Sequence, residues 1–270
     1  MAQAPQRPSD IQEFSSPHDT RYFSERIVIR PLGISAPLRW LALGLKDFRR
    51  HPLIGLFYGA CFVLMARALL EVFRNEPAYT LATLAGLLLM GPFIWMGLYQ
   101  VSRRMEHGSP VAWFDSMTAW RSHLGQMGIF GFVLLVLELL WGRASLVVFA
   151  ISFDGMPDFK GSVMALFNPE NLGFIVTYLA VASIFAGLIF SVSVISVPMM
   201  LDQEVDAITA GLTSLRLVIE QPGVMLPWAA MIALLTLAAL LPNLLGLMVI
   251  GPIVGHASWH AYRDSIAIKP

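Results

Sequence analysis

The sequence predicts an all-α polytopic membrane protein, with six transmembrane helices arranged as three repeated units of interfacial amphipathic helix plus transmembrane hairpin. Three observations lead there. The 270 residues are 56% hydrophobic and only 13% charged, with a mean hydropathy of +0.66, outside the usual soluble range. Six apolar runs come close to or exceed the roughly 20 residues that a helix needs to cross a bilayer. One skeleton precedes each pair of runs: small residue, apolar residue, two spacers, apolar residue, arginine. Its copies span Gly44 to Arg49, Ser116 to Arg121 and Gly211 to Arg216, and such repetition sets architecture before any residue is given a role.

Residues 1–35 carry Pro5, Pro8, Pro17 and Pro31 among scattered charges, with no apolar run near Met1. They read as a disordered cytoplasmic tail and not as a cleaved signal peptide. Ile27, Val28 and Ile29 form a short run able to pack locally. The membrane domain is expected over 36–270, with repeat units at about 36–104, 109–201 and 202–265.

The first unit opens with an amphipathic stretch in which Leu38, Leu41, Leu45 and Phe48 share one face and Arg39, Lys46 and Arg50 the other. Ser35 is placed to cap it, with Pro37 in the first turn. Spans are expected at 53–73 and 78–101, separated by a tight turn through Arg74, Asn75, Glu76 and Pro77. The second unit starts at Ser109-Pro110, aligns Trp113, Met117, Trp120 and Leu124, and continues into spans at 126–148 and 172–198. A longer polar loop between those spans holds Asp154, Asp158 and Glu170, which read as an ordinary solvated loop. In the third unit Val205, Ile208, Leu212, Leu215 and Ile219 oppose Asp206, Thr209, Thr213, Arg216 and Glu220. Spans follow at 223–241 and 244–262 with the turn Pro242-Asn243 between them.

The amphipathic stretches are too polar on one side to span, so they are expected to lie at the interface with the apolar side toward lipid. Arg49, Arg121 and Arg216 then serve as interfacial anchors within reach of lipid phosphate or an acidic neighbour. The second helix of each hairpin carries a further shared mark: Gly91-Pro92, Val197-Pro198 and Gly251-Pro252. Tyr99 and Trp259 lie eight residues past the glycine in the first and third units, and Arg103 and Arg263 lie twelve past it. An aromatic followed by an arginine reads as another anchor. Two spans per unit make the units parallel, about an axis along the membrane normal.

Fourteen of the eighteen lysines and arginines fall in the tail, the amphipathic stretches and the C-terminal end, and four fall elsewhere. That bias places both termini in the cytoplasm. The formal net charge of zero gives no basic field for nucleic acid. The single cysteine, Cys61, excludes an internal disulfide.

The segment from Pro37 to Pro52, continuing to Gly59, resembles the integral membrane family called domain of unknown function 2189, as does the block from Gly251 to Asp264. The resemblance covers nearly the whole chain after residue 30. It implies a six-span protein of the bacterial inner membrane with no established activity. Some relatives carry the label of a cytochrome c oxidase component, which suggests a respiratory complex or its assembly as a partner by analogy. Haem-copper catalysis needs several histidines at membrane depth. Here His18, His51, His107 and His123 lie in the tail or loops, and only His256 and His260 lie in a span, near its end. A catalytic subunit is thereby excluded, while an accessory role stays open.

Ionisable residues at membrane depth are costly, about 2.5–3.5 kcal/mol each near the centre on insertion scales, so they have partners or purposes. Glu138 lies twelve residues into the third span, roughly 18 Å deep at 1.5 Å per residue. Arg67 and Glu71 stand one turn apart and can pair, and Arg143 can snorkel outward. Two readings of Glu138 stand: a proton- or cation-handling carboxylate facing the axis with Arg67 setting its charge, or an interhelical ion pair that fixes packing. A transport site would add Ser183, Ser191 or Ser193. His256 and His260, at i and i+4, are a weak metal pair, and Trp259 and Tyr262 beside them suggest an interface belt instead. No phosphate loop, nucleophile elbow or metalloprotease motif is present. The expectation is a non-enzymatic scaffold, accessory or assembly component without a cofactor, whose partners are the bilayer and other membrane proteins. The alternative is a small transporter or channel with a site between the repeats near Glu138.

Overall fold

The computed structural model describes residues 27–75, 80–152, 171–203 and 205–268, and these are nearly all helical. The order is β1 (Ile27–Ile29), α1 (Ala36–Arg50), α2 (Pro52–Asn75), α3 (Thr80–Glu106), α4 (Trp113–Thr118), a 3-10 turn (Arg121–His123), α5 (Leu124–Ser152), α6 (Leu172–Ser193), α7 (Ser196–Gln203), α8 (Ala207–Glu220), α9 (Pro222–Leu240), α10 (Leu247–Ser265) and β2 (Ile266–Ile268). Residues 1–26, Glu76 and Pro77, Glu204, Lys269 and the polar loop with Asp154, Asp158, Lys160 and Glu170 lie outside the described residues.

Prolines and caps punctuate the chain as elementary stereochemistry requires. Pro37 sits in the first turn of α1 and Pro222 opens α9, where the missing N–H costs nothing. Asp206 caps α8, its Oδ1 accepting the Ile208 and Thr209 backbone N–H groups at 2.9 Å each. Ser35, expected to cap α1, makes no side-chain cap bond. Pro92 and Pro252 are carried inside α3 and α10. The α9–α10 turn places Asn243 at φ 53° and Leu244 at φ 69°, a region that asparagine tolerates and leucine does not favour.

Among the described residues, four stretches are long and apolar enough to cross a membrane: Pro52–Asn75, Trp113–Ser152, Leu172–Gln203 and Pro222–Leu240. Neither α3 nor α10 is among them. In α10 every residue from Pro252 to Trp259 is buried, so this helix presents little surface to lipid and can carry His256, Ser258 and His260 on its faces.

Helix α10 is the hub of the fold. It packs against α1, α2, α3, α7 and α9. Two close approaches to it require glycine. A Cβ on Gly44 would stand 2.5 Å from the Ile253 carbonyl oxygen and 2.6 Å from the Ala257 nitrogen, and one on Gly59 would stand 2.0 Å from the Met248 carbonyl oxygen. The main core gathers Trp40, Met96, Phe130, Met200, Trp228 and Trp259, with Trp40 and Trp228 edge to face at 5.6 Å.

The sequence-based expectation is corrected in two places. The fold is not purely α, and residues 27–35 are not a disordered tail. Ile27, Val28 and Ile29 pair antiparallel with Ile268, Ala267 and Ile266. The Gln221 side chain then accepts the Leu32 N–H and donates to the Arg30 carbonyl. Neighbouring backbone completes the strand, which propensity in an isolated tail could not reveal. The second amphipathic stretch is not one continuous helix but a short α4 followed by a 3-10 turn. The large aliphatic residues of α1 and α8, by contrast, face away from the protein interior, in the sense that the interfacial reading expects. Leu38, Ile208, Leu212 and Ile219 are exposed, while Trp40, Gly44 and Asp47 of α1 and Ala210, Gly211 and Ser214 of α8 pack inward.

Candidate functional site

The polar residues that the fold brings together meet where α1, α3 and α10 converge. Trp40, Gly44 and Asp47 form one stripe of α1 at i, i+4 and i+7. The close approach at Gly44 lets Asp47 reach α10. From the other side His256 and His260, one turn apart on α10, meet Ser102 of α3. Asp47 Oδ2 accepts from Ser102 Oγ at 2.9 Å and from His260 Nε2 at 2.8 Å. With the serine proton on Asp47, the 2.7 Å contact at His256 Nδ1 is an N–H donated to Ser102 Oγ. Asp47, Ser102 and His256 are all buried.

Burial alone would raise the Asp47 carboxyl. The hydrogen bond and charge of His260, with Ser102 and His256 behind them, outweigh it and hold the group below the ordinary carboxylate range. This is a satisfied buried network, not a nucleophile with its base: serine stands between the acid and the imidazole, whereas an activated serine requires the imidazole in the middle. His256 Nδ1 and His260 Nε2 are both engaged in hydrogen bonds within the chain. Among the described residues no group of three histidines, cysteines or acids is placed to hold a metal.

A second network lies at the same end. Asp202 of α7 accepts from Arg103 Nε at 3.1 Å, Arg263 Nη1 at 3.2 Å and the Tyr262 hydroxyl at 2.8 Å. Glu106 accepts from Trp259 Nε1 and Arg263 Nε, each at 2.9 Å. Arg103 and Arg263, expected to anchor on lipid, therefore bind carboxylates of their own chain. Their aromatic companions are not an interface belt, because Tyr99, Trp259 and Tyr262 are buried. Of the remaining anchors, Arg49 is exposed, Arg121 lies over the Phe114 and Trp120 rings, and Arg216 pairs with Glu220 one turn on. The Arg39–Asp264 pair, with Trp40 Nε1 on the same carboxylate at 2.9 Å, fastens α1 to the end of α10.

The intramembrane candidates do not assemble. Glu138 is buried on α5, and among the described residues its Oε1 has no hydrogen-bond partner. Arg67 is exposed and reaches the Asn243 carbonyl at 3.4 Å, so it sets no charge on Glu138. Glu71 accepts from Asn75 and forms no ion pair with Arg67 among the described residues. Arg143 is exposed. Between α3, α5, α6, α9 and α10 lies a cavity of about 260 Å³, lined by Trp95, Tyr99, Phe130, Leu134 and Phe190. Leu134 stands one turn before Glu138. Ser193 also lines it but donates to the Ile189 carbonyl at 2.6 Å, while Ser191 donates to Gly187 and Ser183 is exposed.

The sequence reading missed Asp47 and Ser102. Asp47 shows a signal in hindsight: an aromatic, a glycine and an acid on one helical stripe, in a stretch whose leucines lie on another face.

Residues 80–202 match the model of the family DUF2189, described as predicted integral membrane protein. The match runs from α3 to α7 and leaves out the segments 37–59 and 251–264, which carry the resemblance argued from the sequence. No curated protein and no solved structure matches the chain.

Proposed function

For this integral membrane protein of a family without known activity, we propose a non-enzymatic role as a scaffold, accessory subunit or assembly partner in a bacterial inner membrane. In this reading α3 and α10 cross with the four apolar stretches, both termini are cytoplasmic, and three parallel units close around an axis. Three contacts support the ring. Gly44 of α1 meets Ala257 of α10, Ser116 of α4 donates to the Gly97 carbonyl of α3 at 2.9 Å, and Gly211 of α8 meets Val192 of α6. Each amphipathic segment thus leans on the second helix of the unit before it, the first leaning on the last. Gly97 and Ala257 both stand six residues past a Gly-Pro pair. Val192 does not stand in that register to Val197-Pro198, so the middle unit follows the ring but not the Gly-Pro spacing.

One observation carries the scaffold role. At the end where α1, α4 and α8 lie, the charged groups of α3, α7 and α10 bind one another, while Phe114, Met117, Ile208, Leu212 and Ile219 are turned outward. A surface of that kind suits lipid and a membrane partner. The test is cross-linking in native membranes, followed by mild-detergent purification and mass spectrometry. A stoichiometric membrane-protein partner that is lost in Leu212→Glu but kept in the exposed-span variant Leu237→Ala supports the reading. Recovery of the chain with lipid alone refutes it.

The transporter alternative rests on Glu138, whose unpartnered oxygen lies a turn from the cavity wall. Glu138→Gln decides it: normal accumulation with loss of an ion-dependent phenotype favours transport, and an unchanged phenotype removes it.

A further inference from the structure

Beside the cavity behind Trp95 lies a second space of about 330 Å³, walled by Phe62, Met65 and Leu69 of α2, Leu87 of α3 and Ile250 of α10. Gly91, Trp95, Ile232 and Val254 line both, so the two spaces are immediate neighbours across these four residues. Along α3 the pair together reaches from Tyr99 to Leu87, roughly 18 Å at 1.5 Å per residue.

Gly91 differs from the packing glycines. A Cβ on Gly44 or Gly59 would collide with backbone, whereas one on Gly91 would meet no atom within 4 Å. The missing side chain leaves open volume rather than a close helix contact.

The chemistry of the walls selects the occupant. Three of the four hydroxyls that line the two spaces are already used: Tyr99 bonds Ser258, Ser258 donates to the Val254 carbonyl at 2.9 Å, and Ser193 donates to Ile189, while the fourth, on Thr236, is a single polar group in an otherwise apolar wall. A buried water needs two to four polar partners, and an ion needs compensation that these walls do not give. Hydrocarbon needs neither, and it is the solvent of the surrounding spans. The elongated outline suits an extended chain rather than a compact ring.

We propose that the two neighbouring spaces together hold one hydrocarbon chain of a membrane lipid, threaded between α3 and α10 past Gly91. The proposal is independent of the scaffold reading, since a lipid held here touches none of the outward-facing residues on α4 and α8.

The test uses the full chain reconstituted into phosphatidylcholine vesicles. One set contains phosphatidylcholine with a diazirine on one acyl chain, the other a diazirine-bearing free fatty acid. Photolysis is expected to label the peptides holding Trp95, Ile232 and Val254. That label is expected to disappear in Gly91→Phe and to persist in the exposed control Leu237→Phe. Labelling by the first probe identifies a phospholipid chain, and labelling by the second alone identifies a free acid. Label confined to exposed residues such as Leu139, Leu179 and Leu237, or chamber label unchanged in Gly91→Phe, overturns the proposal. Should Gly91→Phe fail to fold, Ile232→Trp replaces it. Competition of the wild-type label by excess unlabelled lipid then gives an independent reading, and lack of competition overturns the proposal.

Discussion

His260 Nε2 lies 2.8 Å from Asp47 Oδ2, a bond that joins α1 to α10 across 213 positions of sequence. Because the carboxylate is buried and also serves Ser102, losing it strands donors in the core. Asp47→Ala is expected to cost about 1–3 kcal/mol, the usual range for leaving buried donors unsatisfied. Thermal unfolding of the detergent-solubilised protein measures it.

The same carboxylate gives a pH dependence with a definite sign. Its folded-state pKa is depressed, so its contribution is complete above the ordinary aspartate value of about 3.9 and is lost as pH falls through the lower folded value. The stability gap between wild type and Asp47→Ala should shrink on acidification below about pH 4. A melting series across pH checks it, and a gap that widens in acid contradicts the assignment.

Asp202 and Glu106 offer a comparison within one network. Asp202 is 6% exposed and accepts from Arg103, Gln203, Tyr262 and Arg263, while Glu106 is 35% exposed. Asp202→Asn should destabilise by about 3 kcal/mol, as for a buried pair, and Glu106→Gln by about 1 kcal/mol or less, as for a partly exposed one. Equal losses would mean that burial does not govern this end of the fold.

The motif glycines separate in the same way. Gly44→Ala drives a methyl into α10 backbone and is expected to cost about 1–3 kcal/mol as overpacking. Gly211→Ala meets only Val192 Cγ1 at 3.5 Å. With room available, the helix-propensity gain of roughly 0.5–1 kcal/mol makes it neutral or stabilising. Paired melts of the two variants decide.

Apolar periodicity made the helical segments legible to within a few residues, because a bilayer-length run is the same signal whatever it packs against. The partners of the charges were not legible. Arg103 and Arg263 read as lipid anchors because the sequence shows their place at a helix end and not the Asp202 carboxylate brought beside them. The outward turn of Leu38, Leu212 and their neighbours was legible, but the small-residue stripe packed behind them was not. In water the leucine face of an amphipathic helix marks the protein interior, but at a lipid interface it marks the outside, and a small-residue stripe becomes the packing surface. The pairing of Ile27–Ile29 was hidden for a simpler reason, since its strand partner, Ile266–Ile268, is far away in sequence.

The pairing of β1 with β2, together with α1 lying on α10, has a consequence for biogenesis. The stripe of Trp40, Gly44 and Asp47 is synthesised well before the helix that covers it, 213 positions separating Asp47 from His260. Until α10 has left the ribosome, the nascent chain keeps a buried aspartate and an open core seam without their final partners. Synthesis of α10 and β2 is therefore the event that seals this seam. A chain truncated before α10 should be recognised by membrane proteases as unfinished.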